Sequence, residues 1–203
     1  MNTHDMALIS EEKQPVIRQS IGLMVLGFIG TGLIYCVLQT NIAQLIFPFQ
    51  ANGSVIQQQS KAVGSLLVAQ NFHNPRYFQA RPSAINYDPM AMGGSNLAIS
   101  NPDLLKHISE RRQQFAKFND ADLQSVPLDM LTASGSGIDP EISPESAALQ
   151  ISRVAKQRHI AIDEIQKLVN AYTYDKQFGF LGIPRVNVLQ LNLALDALQH
   201  NHS

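Results

Sequence analysis

Residues 20–38 read SIGLMVLGFIGTGLIYCVL, a run of 19 residues without a charged side chain. At about 1.5 Å of rise per residue, a helix over this run would be roughly 28 Å long, close to the roughly 30 Å of a bilayer's hydrocarbon core. The nearest charges are Arg18 before it and Lys61 after it. We therefore predict a transmembrane helix over residues 20–38, which could extend to about residue 46.

Two other kinds of segment can be this apolar. A buried core helix rarely runs so far without a charge. A cleaved signal peptide usually has an apolar run of about 7 to 15 residues and then a small-residue cleavage site. Residues 39–44, QTNIAQ, offer only a poor site of that kind. The sequence favours a retained span over both alternatives.

The charges beside the run predict its orientation. Lys13 and Arg18 precede it closely, and no Lys or Arg follows at a similar distance. The positive-inside rule then places the N-terminus in the cytoplasm. We expect residues 1–19 to be a cytoplasmic leader, residues 39–60 a linker, and residues 61–203 an extracytoplasmic domain.

The composition of that domain excludes some function classes. From Lys61 onward it carries 13 Lys and Arg against 13 Asp and Glu. A neutral balance gives no basic patch of the kind that binds nucleic acid. The only cysteine, Cys36, lies in the apolar run. The domain must therefore be held by its core, without a disulfide.

Apolar spacing predicts several helices in the domain. Asn101 is placed to cap a helix that Pro102 begins and that runs to about residue 118. Ser143 is placed to cap a second helix, which runs to about residue 159. Further apolar stripes predict helices over residues 162–172 and 185–198, the last of which could instead begin as a short strand.

Other stretches predict strands and loops. Alternating apolar residues predict a strand over 126–132, and residues 61–70 fit either a strand or a short helix. Residues 71–101 are irregular and rich in Asn, Ser and Gly, which is typical of a functional loop or an Ω-loop. Together these patterns predict a single N-terminal transmembrane helix followed by one α/β (mixed α+β) extracytoplasmic domain.

Residues 132–137, TASGSG, are the one stretch that suggests a serine nucleophile. They do not match G-x-S-x-G, because Thr132 and Ser136 flank Ser134 where glycines are needed. No histidine has a spacing that identifies it as a base, and no phosphate loop or metal-ligand cluster is present in the sequence. A turn whose glycines allow positive φ is the simpler interpretation. A membrane-anchored hydrolase using Ser134 or Ser136, or a cell-envelope scaffold, remain alternatives.

Two sets of motifs occur in order along the chain. The first set is GSLL at residues 64–67, YF at 77–78, RPSA at 81–84, GGSNL at 93–97 and SNP at 100–102. The second set is VP at 126–127, TASGSGIDPEISP at 132–144, RVA at 153–155 and PRVNVLQLNLALD at 184–196. With the single N-terminal span, these motifs resemble the C subunit of the Kdp potassium-transporting ATPase.

The resemblance implies an accessory subunit in a complex of the bacterial inner membrane. Its expected partners are a potassium-binding, channel-like subunit, a P-type ATPase subunit and a very small single-span subunit. The C subunit is expected not to be an enzyme itself. It would stabilise assembly and act as a catalytic chaperone that raises the ATP affinity of the ATPase subunit.

The predicted topology sits uneasily with direct nucleotide binding, because the domain would lie outside, where ATP is absent. We therefore favour a structural cap over the potassium-translocating subunit, and ATP enters only through the ATPase subunit. No catalytic, cofactor or metal residue is assigned. The candidate partner-interface or loop residues lie in the quoted motifs: Arg81, Ser83, Asn96, Asn101, Ser134, Ser136, Asp139, Arg185 and Asn187. A channel-facing role for the polar loop 93–101 is a further hypothesis.

Overall fold

The structure is a computed structural model that describes residues 16–201. The described chain divides between Asn52 and Gly53 into two compact units. The predicted leader, residues 1–19, lies mostly outside the described residues. The fold class agrees with the prediction: an N-terminal apolar helix is followed by a domain of helices and small antiparallel sheets.

The first unit is a long helix. It comprises α1 (Val16–Gly27), a π-helical segment (Phe28–Tyr35) and α2 (Cys36–Ile46). These 31 residues have a mean hydropathy of 2.3 in their most apolar window, and none of that window is buried. By length and composition the helix could cross a membrane.

Polar side chains in this helix bond to the helix's own backbone. Thr31 and Thr40 donate to carbonyl oxygens four residues earlier, each at 2.7 Å, and Asn41 does the same at 2.7 Å. Such bonding suits a lipid environment, where no water can satisfy polar groups. Phe47, with φ of −129° and ψ of 59°, leaves the helical conformation and ends the helix, and a short helix, α3 (Pro48–Ala51), follows.

The second unit begins with a hairpin of β1 (Val55–Gln58) and β2 (Lys61–Ser65). Gln59 and Ser60 have φ of 49° and 63°, as a two-residue type I′ turn requires. Helical residues up to Ile46 and the strand β1 both lie inside the segment expected to be a linker, 39–60.

Four helices and a three-stranded sheet complete the described part of the domain. The helices are α4 (Pro102–Asn119), α5 (Pro144–Arg158), α6 (Ile162–Ala171) and α7 (Val188–Asn201). The sheet has the order β3 (Glu141–Ile142), β5 (Arg185–Asn187), β4 (Thr173–Tyr174), and both pairings are antiparallel. The core contains side chains from the sheet, from α4 to α7 and from the long loop. Its least exposed members, each at 0%, are Phe78, Ala147, Val154, Ile165, Val186, Leu191 and Leu195.

The predicted helix starts are confirmed. Asn101 accepts a bond from the Asp103 amide at 2.8 Å, and Ser143 accepts one from the Ser146 amide at 3.1 Å. The chain between Asn187 and Val188 changes from strand to helix, so the alternative of a short strand before the last helix is the correct one.

The predicted strand over 126–132 is wrong. Leu128–Met130 is a turn of 3₁₀ helix, and the Leu128 carbonyl accepts bonds from both the amide and the hydroxyl of Thr132. Met130 and Leu131 are adjacent and both buried, at 4% and 2% exposure. A strand would turn such neighbours to opposite faces, and the tight turn lets both reach the core.

Candidate functional site

Most of the candidate residues lie where two loops meet. Arg81 Nη1 is 2.8 Å from Asp139 Oδ2, and both side chains are partly exposed. The other carboxylate oxygen of Asp139 accepts the Glu141 amide at 3.0 Å. This ion pair therefore joins the loop after residue 80 to the turn that leads into β3.

Ser83 shapes the first of these loops. Its hydroxyl oxygen accepts the amides of Ile85 at 3.1 Å and Tyr87 at 3.0 Å. The Tyr87 hydroxyl returns to the Arg81 carbonyl at 2.8 Å. Burial raises the pKa of the Tyr87 phenol above its usual value, and the charge of Arg111 offsets part of that effect.

The serines of residues 132–137 belong to the second loop and bond to backbone. The Ser134 hydroxyl accepts the Gly137 amide at 2.8 Å, and the Ser134 amide donates to the Pro82 carbonyl at 3.1 Å. The Ser136 carbonyl accepts the Gly93 amide at 2.9 Å, and its hydroxyl accepts the Ile138 amide at 3.2 Å. These two residues thus tie together the motifs at 81–84, 93–97 and 132–144.

Gly137 sits at the tightest point of this junction. Its φ is +74°, and a Cβ there would collide with the Ile85 side chain and lie 2.8 Å from the Gly93 carbonyl oxygen. Gly135, two residues earlier, has open space around it. Only one of the two glycines is therefore required by the packing of the loops.

Arg185 and Asn187 lie on β5, at the centre of the small sheet. Arg185 Nε is 2.8 Å from a carboxylate oxygen of Glu141 on β3. Asn187 is 5% exposed; its amide nitrogen donates to the Leu66 carbonyl at 2.9 Å, and its oxygen accepts the Gln190 amide at 3.1 Å. Asn187 therefore fixes the end of the first hairpin against the start of α7.

Asn96 and Asn101 are separate from this junction. Asn96 is exposed, with φ of 52°. Asn101 caps α4. The structure thus brings together Arg81, Ser83, Ser134, Ser136 and Asp139 and leaves the two asparagines on the loop before α4.

Two buried arginines were missed by the sequence reasoning. Arg153 on α5 donates to the carbonyls of Pro75 and Tyr77 and to the side chains of Asn119 and Gln150. Its guanidinium also lies over the Phe118 ring, 4.6 Å from the centroid. Burial lowers the pKa of Arg153 to about 10.

Arg158, the second of them, has Nη2 2.7 Å from Asp196 and its guanidinium 4.7 Å from the centre of the Tyr77 ring. Its Nε donates to the Arg76 carbonyl at 2.8 Å. Arg153 lies in the quoted motif RVA, but nothing in the local sequence indicates that its partners lie up to 78 residues away. Together the two arginines hold residues 75–77 of the long loop against α5 and α7.

The geometry gives no support to a serine nucleophile. Ser134 is 3% exposed, and its hydroxyl is engaged with the Gly137 amide. The hydrogen bonds of Ser134 and Ser136 found in residues 16–201 go to backbone groups, none of them a histidine's. The arrangement can fix loops to one another, which is what a shaped contact surface needs.

Comparison with known proteins identifies the family. The model of the family KdpC, described as "K+-transporting ATPase, c chain", matches residues 17–197. The chain belongs to the KdpC family. The match includes all nine candidate residues and both buried arginines. The meeting point of the two loops therefore lies in the region that the family model covers.

Individual relatives match this chain over most of their length. The potassium-transporting ATPase KdpC subunit of Methylococcus capsulatus is 51% identical over 172 residues, which cover 83% of this chain and 90% of the relative. The KdpC subunit of Paraburkholderia phytofirmans is 50% identical over 173 residues, which cover 84% of this chain and 90% of the relative. The KdpC subunit of Xanthomonas oryzae pv. oryzae is 48% identical over 187 residues, which cover 92% of this chain and 90% of the relative.

Proposed function

We propose that this chain is the accessory, non-hydrolysing C subunit of a high-affinity, ATP-driven potassium uptake complex. In that role it stabilises the assembly of a potassium-binding, channel-like subunit with a P-type ATPase subunit and a small single-span subunit. The observation that carries the proposal is the family match over residues 17–197, which takes in the apolar helix as well as the domain. The relatives are themselves named as potassium-transporting ATPase subunits.

The apolar helix serves as a membrane anchor in this proposal. Its 31 residues would be about 46 Å long, more than the roughly 30 Å of the hydrocarbon core, so the helix tilts or extends beyond it. Lys13 precedes it and Arg18 lies in its first turn, and the positive-inside rule places both in the cytoplasm. The domain from Gly53 onward then lies on the outer side of a bacterial inner membrane.

The domain acts as a structural cap over the potassium-translocating subunit. Its hydrogen bonds join loop to loop, as in the Arg81–Asp139 pair and the Ser134–Pro82 bond, and so give the long loop a defined shape. An outward domain is separated from cytoplasmic ATP. A catalytic-chaperone effect on ATP affinity would therefore be transmitted through the partner subunits.

A pull-down tests the assembly. The tagged chain is isolated in mild detergent from potassium-starved cells, and the eluate is assayed for partner masses and for potassium-stimulated ATPase activity. An untagged strain is the control. We expect a P-type ATPase and a large multi-span protein to co-purify with activity; a chain that elutes alone would overturn the proposal.

Cysteine labelling tests the topology. Gln124 is exposed in a 3₁₀ turn of the domain, so Gln124→Cys in a Cys36→Ala background offers one accessible thiol. A membrane-impermeant maleimide should label it in intact cells. Labelling only after cell lysis would place the domain in the cytoplasm and contradict the proposed orientation.

A further inference from the structure

Residues 175–183, DKQFGFLGI, connect β4 to β5 and form a protruding tip. Gln177 and Leu181 exchange two backbone hydrogen bonds, each of 2.9 Å. Phe178 has φ of 53°, which is uncommon for a bulky residue, and Gly179 and Gly182 have φ of 79° and 82°. The tip thus has a defined conformation that holds its side chains outward.

The side chains of this tip are apolar and exposed. Phe178 is 86% exposed, Phe180 73%, Ile183 72% and Leu181 48%. No charged residue occurs between Lys176 and Arg185. Contiguous apolar surface of this kind on a folded domain marks an interaction with a membrane or another protein.

The base of the tip carries residues that suit a lipid headgroup layer. Tyr174 is 45% exposed, and its hydroxyl donates to Gln190 at 2.7 Å. The Arg185 guanidinium, which is also paired with Glu141, lies 5.8 Å from the Tyr174 ring centre. Lys176 lies two residues after Tyr174 on the first arm of the tip. Tyrosine and long basic side chains are enriched where an apolar segment enters the membrane interface.

The chain length between helix and domain favours lipid as the occupant. Eight residues, 47–54, lie between Ile46, the end of the apolar helix, and Val55, the first residue of β1. Fully extended, they would span at most about 30 Å, and Pro48–Ala51 is helical and shorter. A domain on so short a connection stays at the bilayer surface, so contact with lipid costs it little translational freedom.

We propose that residues 177–183 dip into the interfacial layer of the bilayer. The rings of Phe178 and Phe180 and the side chains of Leu181 and Ile183 enter below the headgroups, and Tyr174, Lys176 and Arg185 stay at their level. The inference rests on the membrane anchor of the proposed function. It gives the domain a contact of its own with the bilayer.

Depth-dependent fluorescence quenching tests the contact. Phe180→Cys and, as a control, Gln124→Cys are made in a Cys36→Ala background and labelled with an environment-sensitive fluorophore. The full chain is reconstituted alone in vesicles of phosphatidylethanolamine and phosphatidylglycerol that contain spin-labelled lipids. We expect the label at position 180 to be quenched at least about twofold more strongly than the label at 124, because apolar side chains settle at the interface.

Each other outcome would overturn either the lipid contact or the anchor. Equal quenching at positions 180 and 124 would overturn the lipid contact, and shielding of position 180 only after co-purification with partner subunits would assign the tip to a protein. A third chain labelled at native Cys36 reports on the anchor. Quenching there by spin labels in the acyl chains, without quenching at 180, would reject the tip insertion and leave the proposed function standing; no quenching at Cys36 would reject the anchor itself.

Discussion

Arg153 shows how a single residue organises the long loop of the domain. It is 7% exposed, and its guanidinium is surrounded by carbonyl and amide oxygens and the face of Phe118. Keeping the charge there is costly, which is why burial lowers the pKa of Arg153 to about 10. The hydrogen bonds offset that cost only if all of them form, because a buried donor left unpaired is expensive.

We expect Arg153→Lys to destabilise the domain by about 2–4 kcal/mol, since an ammonium cannot reproduce the planar set of donors and leaves acceptors unpaired. The measurement is urea unfolding of the full chain in detergent, followed by far-ultraviolet circular dichroism. Lys156→Arg, on an exposed position of the same helix, is the matched control and should change stability by less than about 0.5 kcal/mol. Equal effects of the two substitutions would contradict the structural role.

The raised pKa of Tyr87 predicts that the stability of the domain depends on pH. Burial raises the pKa of the folded phenol above the ordinary value of 10.0, so as the pH rises past 10 the unfolded chain loses this proton before the folded chain does. Tyr87 therefore contributes stability below pH 10 that is lost as the pH rises through its folded pKa. Arg153, whose pKa is lowered, changes stability in the opposite direction at high pH.

A Tyr87→Phe variant separates the two effects, because it keeps Arg153. Near neutral pH we expect it to be about 1 kcal/mol less stable than the parent chain, through loss of the 2.8 Å bond to the Arg81 carbonyl. This gap should narrow above about pH 10. Urea unfolding of both chains at several pH values measures it, and a gap that is constant or widens with pH would show that burial does not raise the Tyr87 pKa.

At the scale of elements, the turn around residue 137 joins three segments of the chain. Gly137→Ala would force a methyl group into contact with Ile85 at a φ of +74° and should cost about 2–4 kcal/mol. Gly135→Ala is the matched control, because nothing lies near its position and its φ is not positive. Unfolding in urea compares the two. Similar losses from both would mean that the close packing of loops at residue 137 is not what makes glycine necessary.

The elements that the sequence predicts well are those whose signals are local. Asn101 and Ser143 each cap a helix with proline at its first position, and both helices begin as predicted. The strand expected over 126–132 fails because alternation over a few residues does not separate a strand from a tight turn. Val126 and Met130 are buried as a strand would place them, but Leu131 is buried as well.

The candidate junction was predictable only as a set of residues, and its geometry was not. The Arg81–Asp139 pair joins positions 58 apart, and Asn192 holds the backbone of Phe78 with two bonds across 114 residues. Contacts between residues so far apart leave no periodic pattern in the sequence. The buried arginines are hidden for the same reason, since an arginine on a helix is usually solvated.

For the whole molecule, the neutral charge of the domain bears on the contacts that the proposed cap could make. Equal numbers of acidic and basic residues from Lys61 onward make long-range attraction to lipid or nucleic acid weak. Contacts must then come from shape and from local polar or apolar groups. The polar loop 93–101 and the apolar tip 177–183 offer these two chemistries separately.

The channel-facing role of the polar loop is testable at Asn96. We expect Asn96→Gly to raise the potassium concentration needed for half-maximal ATPase activity of the purified complex by at least about threefold, equivalent to roughly 0.7 kcal/mol of lost contact. Glycine accepts the observed φ of 52°, so the backbone is kept and only the exposed amide is removed. Asn101 is unsuitable for this test because its loss would weaken the cap of α4.

Asn86→Gly is the control, since Asn86 is also exposed and has φ of 53° but precedes the polar loop. It should leave the potassium dependence and the yield of complex unchanged. If Asn96→Gly also leaves both unchanged, the loop does not face the potassium path and the cap acts through another surface. A third outcome is that Asn96→Gly alone lowers the yield of complex, while the complex that remains binds potassium with ordinary affinity. That result would assign the loop to subunit assembly.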